Sequence, residues 1–309
     1  MASFASEVKN ELSRIFYEKE CCKKAELTAL LRLSGSLFTD EAGVFGIKFT
    51  SNNAAVARKT LSLVREVNPN IPAKVSKEKS LKLRKRPGYN IIISPSHESQ
   101  KLLNSLGFVT LEGFSIEREN HSLRKICCQK AYLRGAFLAT GSVNKPEAEY
   151  HLELSTISQT FAKFLLDIMK KLDFPAKMTD RKEEYVVYLK EGEAILDFLG
   201  MMQADFAAEQ FEAARNLKEV RSQVNRIVNC ETANLSKTVA ASLKQVESIN
   251  KLKKLNILDT LKIELQETAK ARLDNPELSL SELAELLSVS KSALTHRMKK
   301  LNELAKNYQ

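Results

Sequence analysis

Two pairs of adjacent cysteines, Cys21-Cys22 and Cys127-Cys128, are the residue types in this chain most able to do chemistry on their own. The pairs stand at equivalent positions of an internal repeat, at the starts of two helices expected to pack together, where four thiols could hold a zinc ion or form a redox switch. Zinc sites usually separate ligand cysteines by about two to four residues, so that both sulfurs face one ion. Neighbours on a helix point roughly 100° apart, which obstructs joint chelation. The spacing therefore predicts that these four thiols, and the solitary Cys230, are small buried hydrophobes with no metal bound. A second set of candidates is basic. Lys291, Ser292, Thr295, His296, Arg297, Lys299 and Lys300 cluster with no acid among them until Glu303. Such donors suit phosphates and base edges. A third set lies in the stretch 74–86, KVSKEKSLKLRKR, with seven basic residues and one acid. In extended backbone Lys82, Arg84 and Arg86 share one face, and Leu81 and Leu83 the other. This face is a secondary DNA-contact candidate or a solvated hairpin without a ligand.

The bulk composition is consistent with a polyanionic partner. The 309 residues carry 48 Lys and Arg against 38 Asp and Glu, a net charge of +10. That balance favours nucleic acid or an anionic membrane surface. The length allows two or three domains, and 43% hydrophobic residues can bury real cores. No apolar run approaches the roughly 20 residues of a membrane span. The opening MASFASEVKNELSRIF lacks an apolar signal core and reads as a first helix. An odd number of cysteines, mostly adjacent, is no secreted disulfide framework, so a cytoplasmic location is expected.

The elements that must position these residues emerge from an internal repeat. Residues 21–36, CCKKAELTALLRLSGS, recur as 127–142, CCQKAYLRGAFLATGS. Farther on, IPAKVS (71–76) recurs as FPAKMT (174–179), and YNIIIS (89–94) as YVVYLK (185–190). Each copy reads as helix–strand–strand–helix–strand–strand–helix. The helix running into Gly35 or Gly141 is small and apolar nearly all round, so it should be buried. Ala29, Ser34 and Gly35 in one copy, and Gly135, Ala139 and Gly141 in the other, permit close helix–helix approach. The copies are expected to form one pseudo-twofold α+β domain over residues 1–204, with repeats at about 21–110 and 127–203.

This plan resembles the LAGLIDADG homing-endonuclease fold, which joins two such units at a helix pair and lays DNA across their sheets. The resemblance implies a metal-binding acid just before the last glycine of each helix. Here those positions hold Ser34 and Thr140. A neutral hydroxyl is a poor sole ligand for Mg²⁺. The expectation is therefore a nuclease-like domain without catalytic residues, cofactor or metal.

Residues 205–256 read as a helical linker with an apolar stripe of Leu217, Val220, Val224 and Ile227. Its Asn-rich block suggests a break near 229–234, with Ser236 capping the next helix. Residues 257–309 read as an all-α helix-turn-helix domain. Asp259 is positioned to cap a first helix that Asn275-Pro276 stops. Ser279 and Glu282 form a capping box for the second helix. Ser288-Val289-Ser290 is the turn, with Ser288 where glycine is usual. Ser290 caps a third helix buried through Leu294, Met298 and Leu301.

The order of parts, the block VNRIVNCETANLSKT (224–238) and the opening SFASEVKNELSR (3–14) resemble the WhiA family over the whole chain. The resemblance implies a non-enzymatic, sequence-specific DNA-binding regulator of Gram-positive bacteria. It implies roles in cell division, chromosome segregation and, in some lineages, sporulation. The expected partner is double-stranded DNA in the nucleoid, with the transcription machinery as a second candidate. Two other classes stay open: a nucleoid architectural protein with weak sequence preference, and a nuclease using other acids.

Overall fold

The computed structural model describes residues 3–78, 88–110, 113–114 and 123–307. The chain divides into two compact units, 1–218 and 219–309.

The first unit opens with α1 (Phe4–Leu12), capped by the Ser3 hydroxyl. Then come α2 (Glu20–Ser34), β1 (Gly35–Thr39), β2 (Phe45–Ser51), α3 (Ala54–Val67), β3 (Ala73–Glu78), β4 (Gly88–Ile93) and α4 (His97–Ser105). A small β5–β6 pair (Val109–Thr110, Gly113–Phe114) closes the first copy. The second copy runs α5 (Ile126–Thr140), β7 (Ser142–Val143), β8 (Leu152–Thr156), α6 (Gln159–Lys171), β9 (Lys177–Arg181), β10 (Glu184–Leu189) and α7 (Gly192–Met201). Both copies follow the element order expected from the repeat. Their sheets are antiparallel in equivalent orders, β1-β2-β4-β3 and β7-β8-β10-β9.

Register explains how each sheet is used. Leu37, Ile47, Ile93 and Ala73 lie opposite one another across the first sheet and turn toward the core. The same register puts Ser36, Lys48, Ile92 and Lys74 on the other face, with Thr50, Asn90 and Ser76 beside them. In the second sheet Leu154 and Val187 face inward, while Glu153, Tyr188 and Lys177 face outward. α3 covers the first sheet through Val56, Leu63 and Val64, and α6 covers the second through Phe161, Leu165 and Ile168. Each cover helix is started by a capping side chain, Asn53 or Ser158.

α2 and α5 pack against each other at the centre, buried along almost their whole length. Their separation is set at Gly135. A β-carbon there would lie 2.5 Å from the Glu26 carbonyl oxygen and 2.9 Å from the Ala29 methyl. Each helix passes directly into a strand, and a β-carbon at Gly35 would lie 2.2 Å from the Leu31 carbonyl oxygen. Glu26 is fully buried, with Lys59 Nζ 3.9 Å away. Burial pushes its carboxyl up to about 7, against the opposing pull of Lys59 and Arg134. Lys59 also donates to the Ile15 carbonyl, and Arg134 lies over the Tyr17 ring. Nothing in the repeat pattern pointed to this buried charged cluster.

α8 (Asp205–Lys254) is one helix of 50 residues. The break expected at 229–234 does not occur, and Ser236 is an interior helical residue. Asn residues there stay helical and solvent-exposed, at the modest cost their propensity implies. Leu217, Val220, Val224 and Ile227 form the expected stripe, but they are exposed. Cys230 is exposed too, not buried as expected. The start of α8 belongs to the first core through Ala207 and Phe211. The carboxylate of Glu11 accepts from the backbone N–H groups of Phe206 and Ala207, satisfying two free donors of that helix start. The end of α8 belongs to the second core through Ile249 and Leu252.

Gly135→Ala is expected to lower stability by about 1–3 kcal/mol, because the added methyl meets backbone and an alanine that cannot rotate away. Chemical denaturation of the variant beside wild type measures this. A change below about 0.5 kcal/mol would mean that the helix pair is looser than described.

Candidate nucleic-acid interface

The second unit is built around three short helices after α8: α9 (Ile263–Asp274), α10 (Leu280–Leu286) and α11 (Lys291–Asn307). Asp259 does not cap α9. It sits in a single 3-10 turn, Leu258–Thr260, and α9 begins after Lys262. Asn275 ends α9 as expected, and its side chain donates to the Ala271 carbonyl. Arg272, buried on α9, donates to the carbonyls of Leu278 and Asn275 and so fixes the loop into α10. The capping box is formed: Ser279 accepts from the Glu282 N–H, and Glu282 accepts from the Ser279 N–H.

The turn between α10 and α11 has a specific geometry. Val289 N–H donates to the Ala284 carbonyl and Ser288 N–H to the Glu285 carbonyl. Those two bonds are the Schellman closure of a helix, whose key residue is left-handed and usually glycine. Ser288 fills that position with φ 51°. Serine thus adopts the backbone that glycine would, which explains the departure noted in the sequence. Val289 then packs on the second core, and Ser290 accepts from the Ala293 N–H to start α11.

α11 is held by Leu294, Met298, Leu301 and Ala305. That places Lys291, Ser292, Thr295, His296, Lys299 and Lys300 in solvent. Arg297 differs from these: it is partly buried, with its guanidinium 3.8 Å from Glu264. Thr295 donates to the Lys291 carbonyl, so its hydroxyl keeps acceptor capacity outward. Lys299 lies 3.9 Å from Glu303, an exposed pair of little energetic weight. The other basic candidates, Lys82, Arg84 and Arg86, lie outside the described residues.

The ends of α2 and α5 meet at a cleft of about 380 Å³. Ser34, Thr50, Asn52, Asn53, Ala139 and Gly141 line it, together with Lys9. Among the described residues that line it, none is a carboxylate. Burial lowers the Lys9 ammonium to about 8. The Thr140 hydroxyl is buried with no hydrogen-bond partner among the described residues.

At the opposite ends of the same helices the four paired cysteines converge. Their sulfurs all lie within 4.8 Å of one another. Cys22 and Cys128 are buried, whereas Cys21 and Cys127 are partly exposed. The repeat already puts both pairs at the starts of helices expected to pair, and the roughly 100° between adjacent residues is the ground for expecting inert thiols. The structure adds the distance, because helix packing brings all four sulfurs to one point.

A duplicated LAGLIDADG-like domain followed by a helix-turn-helix unit is the class of protein that this fold defines. Three family models match: the WhiA N-terminal LAGLIDADG-like domain over residues 20–109, the WhiA LAGLIDADG-like domain over 129–221, and the WhiA C-terminal HTH domain over 224–305. The "Probable cell division protein WhiA" of Desulforamulus reducens is 42% identical over 308 residues, covering 98% of this chain and 95% of its own. That of Syntrophomonas wolfei is 42% identical over 309 residues, covering 98% of each. The fold is also that of full-length DUF199/WhiA from Thermotoga maritima, with a TM-score of 0.60, 23% identity and 99% coverage of both chains. The chain belongs to the WhiA family.

Ser288→Gly is expected to stabilise the second unit by roughly 0.5–1 kcal/mol, because glycine reaches positive φ without the steric cost. Thermal unfolding of the two proteins tests this. A destabilised glycine variant would show that the serine side chain, not the backbone, is the requirement.

Proposed function

We propose that this protein is a non-enzymatic, sequence-specific DNA-binding regulator, with α11 as its reading helix. One observation carries the reading: a helix anchored by four buried residues offers solvent only cationic and hydrogen-bonding side chains over 291–300. In helix-turn-helix proteins the early residues of such a helix meet base edges in the major groove. Ser292, Thr295 and His296 supply donors and acceptors there, and Lys291 reaches toward a guanine. Ser290, Lys299 and Lys300 flank them, where phosphates run. Arg297, tied to Glu264, orients the helix and contacts phosphate at its margin. The relatives' printed names support a role in cell division. Transcriptional control is the mode that a sequence reader of this kind would serve.

The same reading takes the first unit as a domain that has lost nuclease chemistry. Ser34 and Thr140 stand where the resemblance places metal-binding acids. The cleft at those helix ends offers hydroxyls, amides and the amine of Lys9. A neutral or cationic lining gives Mg²⁺ no anionic oxygen to bind. The open face of the first sheet, with Lys48, Lys74, Ser76 and Thr50, and the basic residues Lys82, Arg84 and Arg86 supply a secondary, sequence-independent contact with DNA.

Two measurements test this function. In binding titrations at several salt concentrations, Thr295→Ala with His296→Ala is expected to cost roughly 1–3 kcal/mol per lost base contact at the preferred site, with little change on random duplex. Lys300→Ala is expected to weaken both duplexes about equally and to reduce the salt slope by about one. A folded double variant that keeps full discrimination would remove α11 as the reader. Separately, supercoiled plasmid incubated with the protein and Mg²⁺ or Mn²⁺ is expected to stay intact. Metal-dependent nicking that copurifies with the protein would contradict the loss of catalysis.

A further inference from the structure

Cys21 and Cys22 lie in the first turn of α2, and Cys127 and Cys128 in the first turn of α5. The pairing of the two helices sets these turns side by side. All four sulfurs come within 4.8 Å of one another, and the Cys127 and Cys128 sulfurs are 4.0 Å apart. Four thiolates bound tetrahedrally to zinc at about 2.3 Å have sulfurs about 3.8 Å from each other. The gap between those figures is about 1 Å or less, which small side-chain rotations close. The roughly 100° between neighbours on one helix does not prevent this arrangement. It sends the two sulfurs of a pair to different corners of the tetrahedron, and the other helix supplies the remaining two.

We propose that Cys21, Cys22, Cys127 and Cys128 form a tetrathiolate site for one zinc ion that joins the first turns of α2 and α5. The surroundings suit such a group in three ways. Among the described residues, neither helix has a side-chain hydrogen bond at its N-cap, where Lys19 and Lys125 stand in place of the usual Ser, Asp or Asn. With no capping acceptor among the described residues, an anionic cluster would serve both helix starts at once. Zinc with four thiolates carries a net charge of −2, which two helix N-termini and the nearby Lys19 partly offset. Finally, each helix contributes one buried and one partly exposed sulfur. The ion has a path from solvent past Cys21 and Cys127, and two sheltered ligands in Cys22 and Cys128.

Burial raises the Cys22 and Cys128 thiols, a cost that a bound cation would have to offset. At Cys127 the effect of burial is outweighed by hydrogen bonds from the neighbouring thiols and by Lys19, and its thiol is lowered. Each thiol protonated beforehand releases one proton on binding, so affinity falls as pH falls. A closed site of four sulfurs has no open coordination position. Its effect is structural, fixing the helix pair at its N-terminal end.

The test uses the full-length chain, purified under reducing conditions without chelator. Elemental analysis is expected to find about one zinc per chain. Chelator-stripped, reduced protein titrated with Co²⁺ is expected to show the intense visible bands and near-ultraviolet sulfur-to-metal charge transfer of a tetrahedral tetrathiolate, which one equivalent of Zn²⁺ bleaches. Cys22→Ser with Cys128→Ser is expected to abolish that spectrum, while Cys230→Ser keeps it. If the double variant fails to fold, the wild-type Co²⁺ spectrum alone decides. A weak octahedral Co²⁺ spectrum in wild type, or a tetrathiolate spectrum that a folded double variant retains, overturns the proposal.

Discussion

The contact on which the first unit depends is the close approach of α2 and α5. It is permitted by the absence of a side chain at Gly135 and the small one at Ala29. A helix pair at this separation excludes water from almost every residue between its ends. It therefore encloses Glu26 with Lys59 and Arg134 in a cluster that is costly unless each charge finds its partner. Everything else in the unit hangs on this axis. Both sheets begin as direct continuations of the two helices, and α3 and α6 close over the sheets from outside.

Because α2 and α5 carry equivalent repeat positions and pack side by side, each end of the pair doubles whatever residue the repeat carries there. At the C-terminal ends this gathers Ser34, Ala139 and Gly141 around a cleft with no carboxylate. At the N-terminal ends it gathers four sulfurs. A single duplicated helix thus produces two different local environments. One is a polar cleft beside the sheets, and the other is a compact thiol cluster away from them. The chemistry at each end is decided by one or two positions in each copy.

The second unit follows a different logic, in which hydrogen bonds at helix ends set orientation. The capping box at Ser279, the left-handed Ser288 and the Ser290 cap together determine where α10 stops and α11 starts. Arg272 braces the preceding loop from inside. Four buried residues then fix the rotation of α11 about its own axis, and rotation alone decides which side chains reach solvent. The exposed stripe on α8, Leu217 through Ile227, shows that periodicity marks a face without saying what covers it.

Patterns that are local in the chain were legible in the sequence. The repeat gave the element order of both copies, because equivalent residues impose equivalent periodicities. The Ser279 box and the Leu294, Met298 and Leu301 stripe located the helix-turn-helix and the outward face of α11. Failures came where a weak local preference met a stronger neighbour. The Asn-rich block stayed helical because it lies inside a helix anchored in a core at each end, and Asp259 lost its capping role to a 3-10 turn. What only the tertiary structure decided were contacts between residues distant in sequence. Glu11 finds the start of α8, Glu26 finds Lys59, and the sulfurs at two helix starts that the repeat had already paired close to within 4.8 Å. A sequence read along one dimension records the spacing within each pair. The distance between two pairs about a hundred residues apart depends on how closely two helices pack, and that is set by a methyl group missing at Gly135.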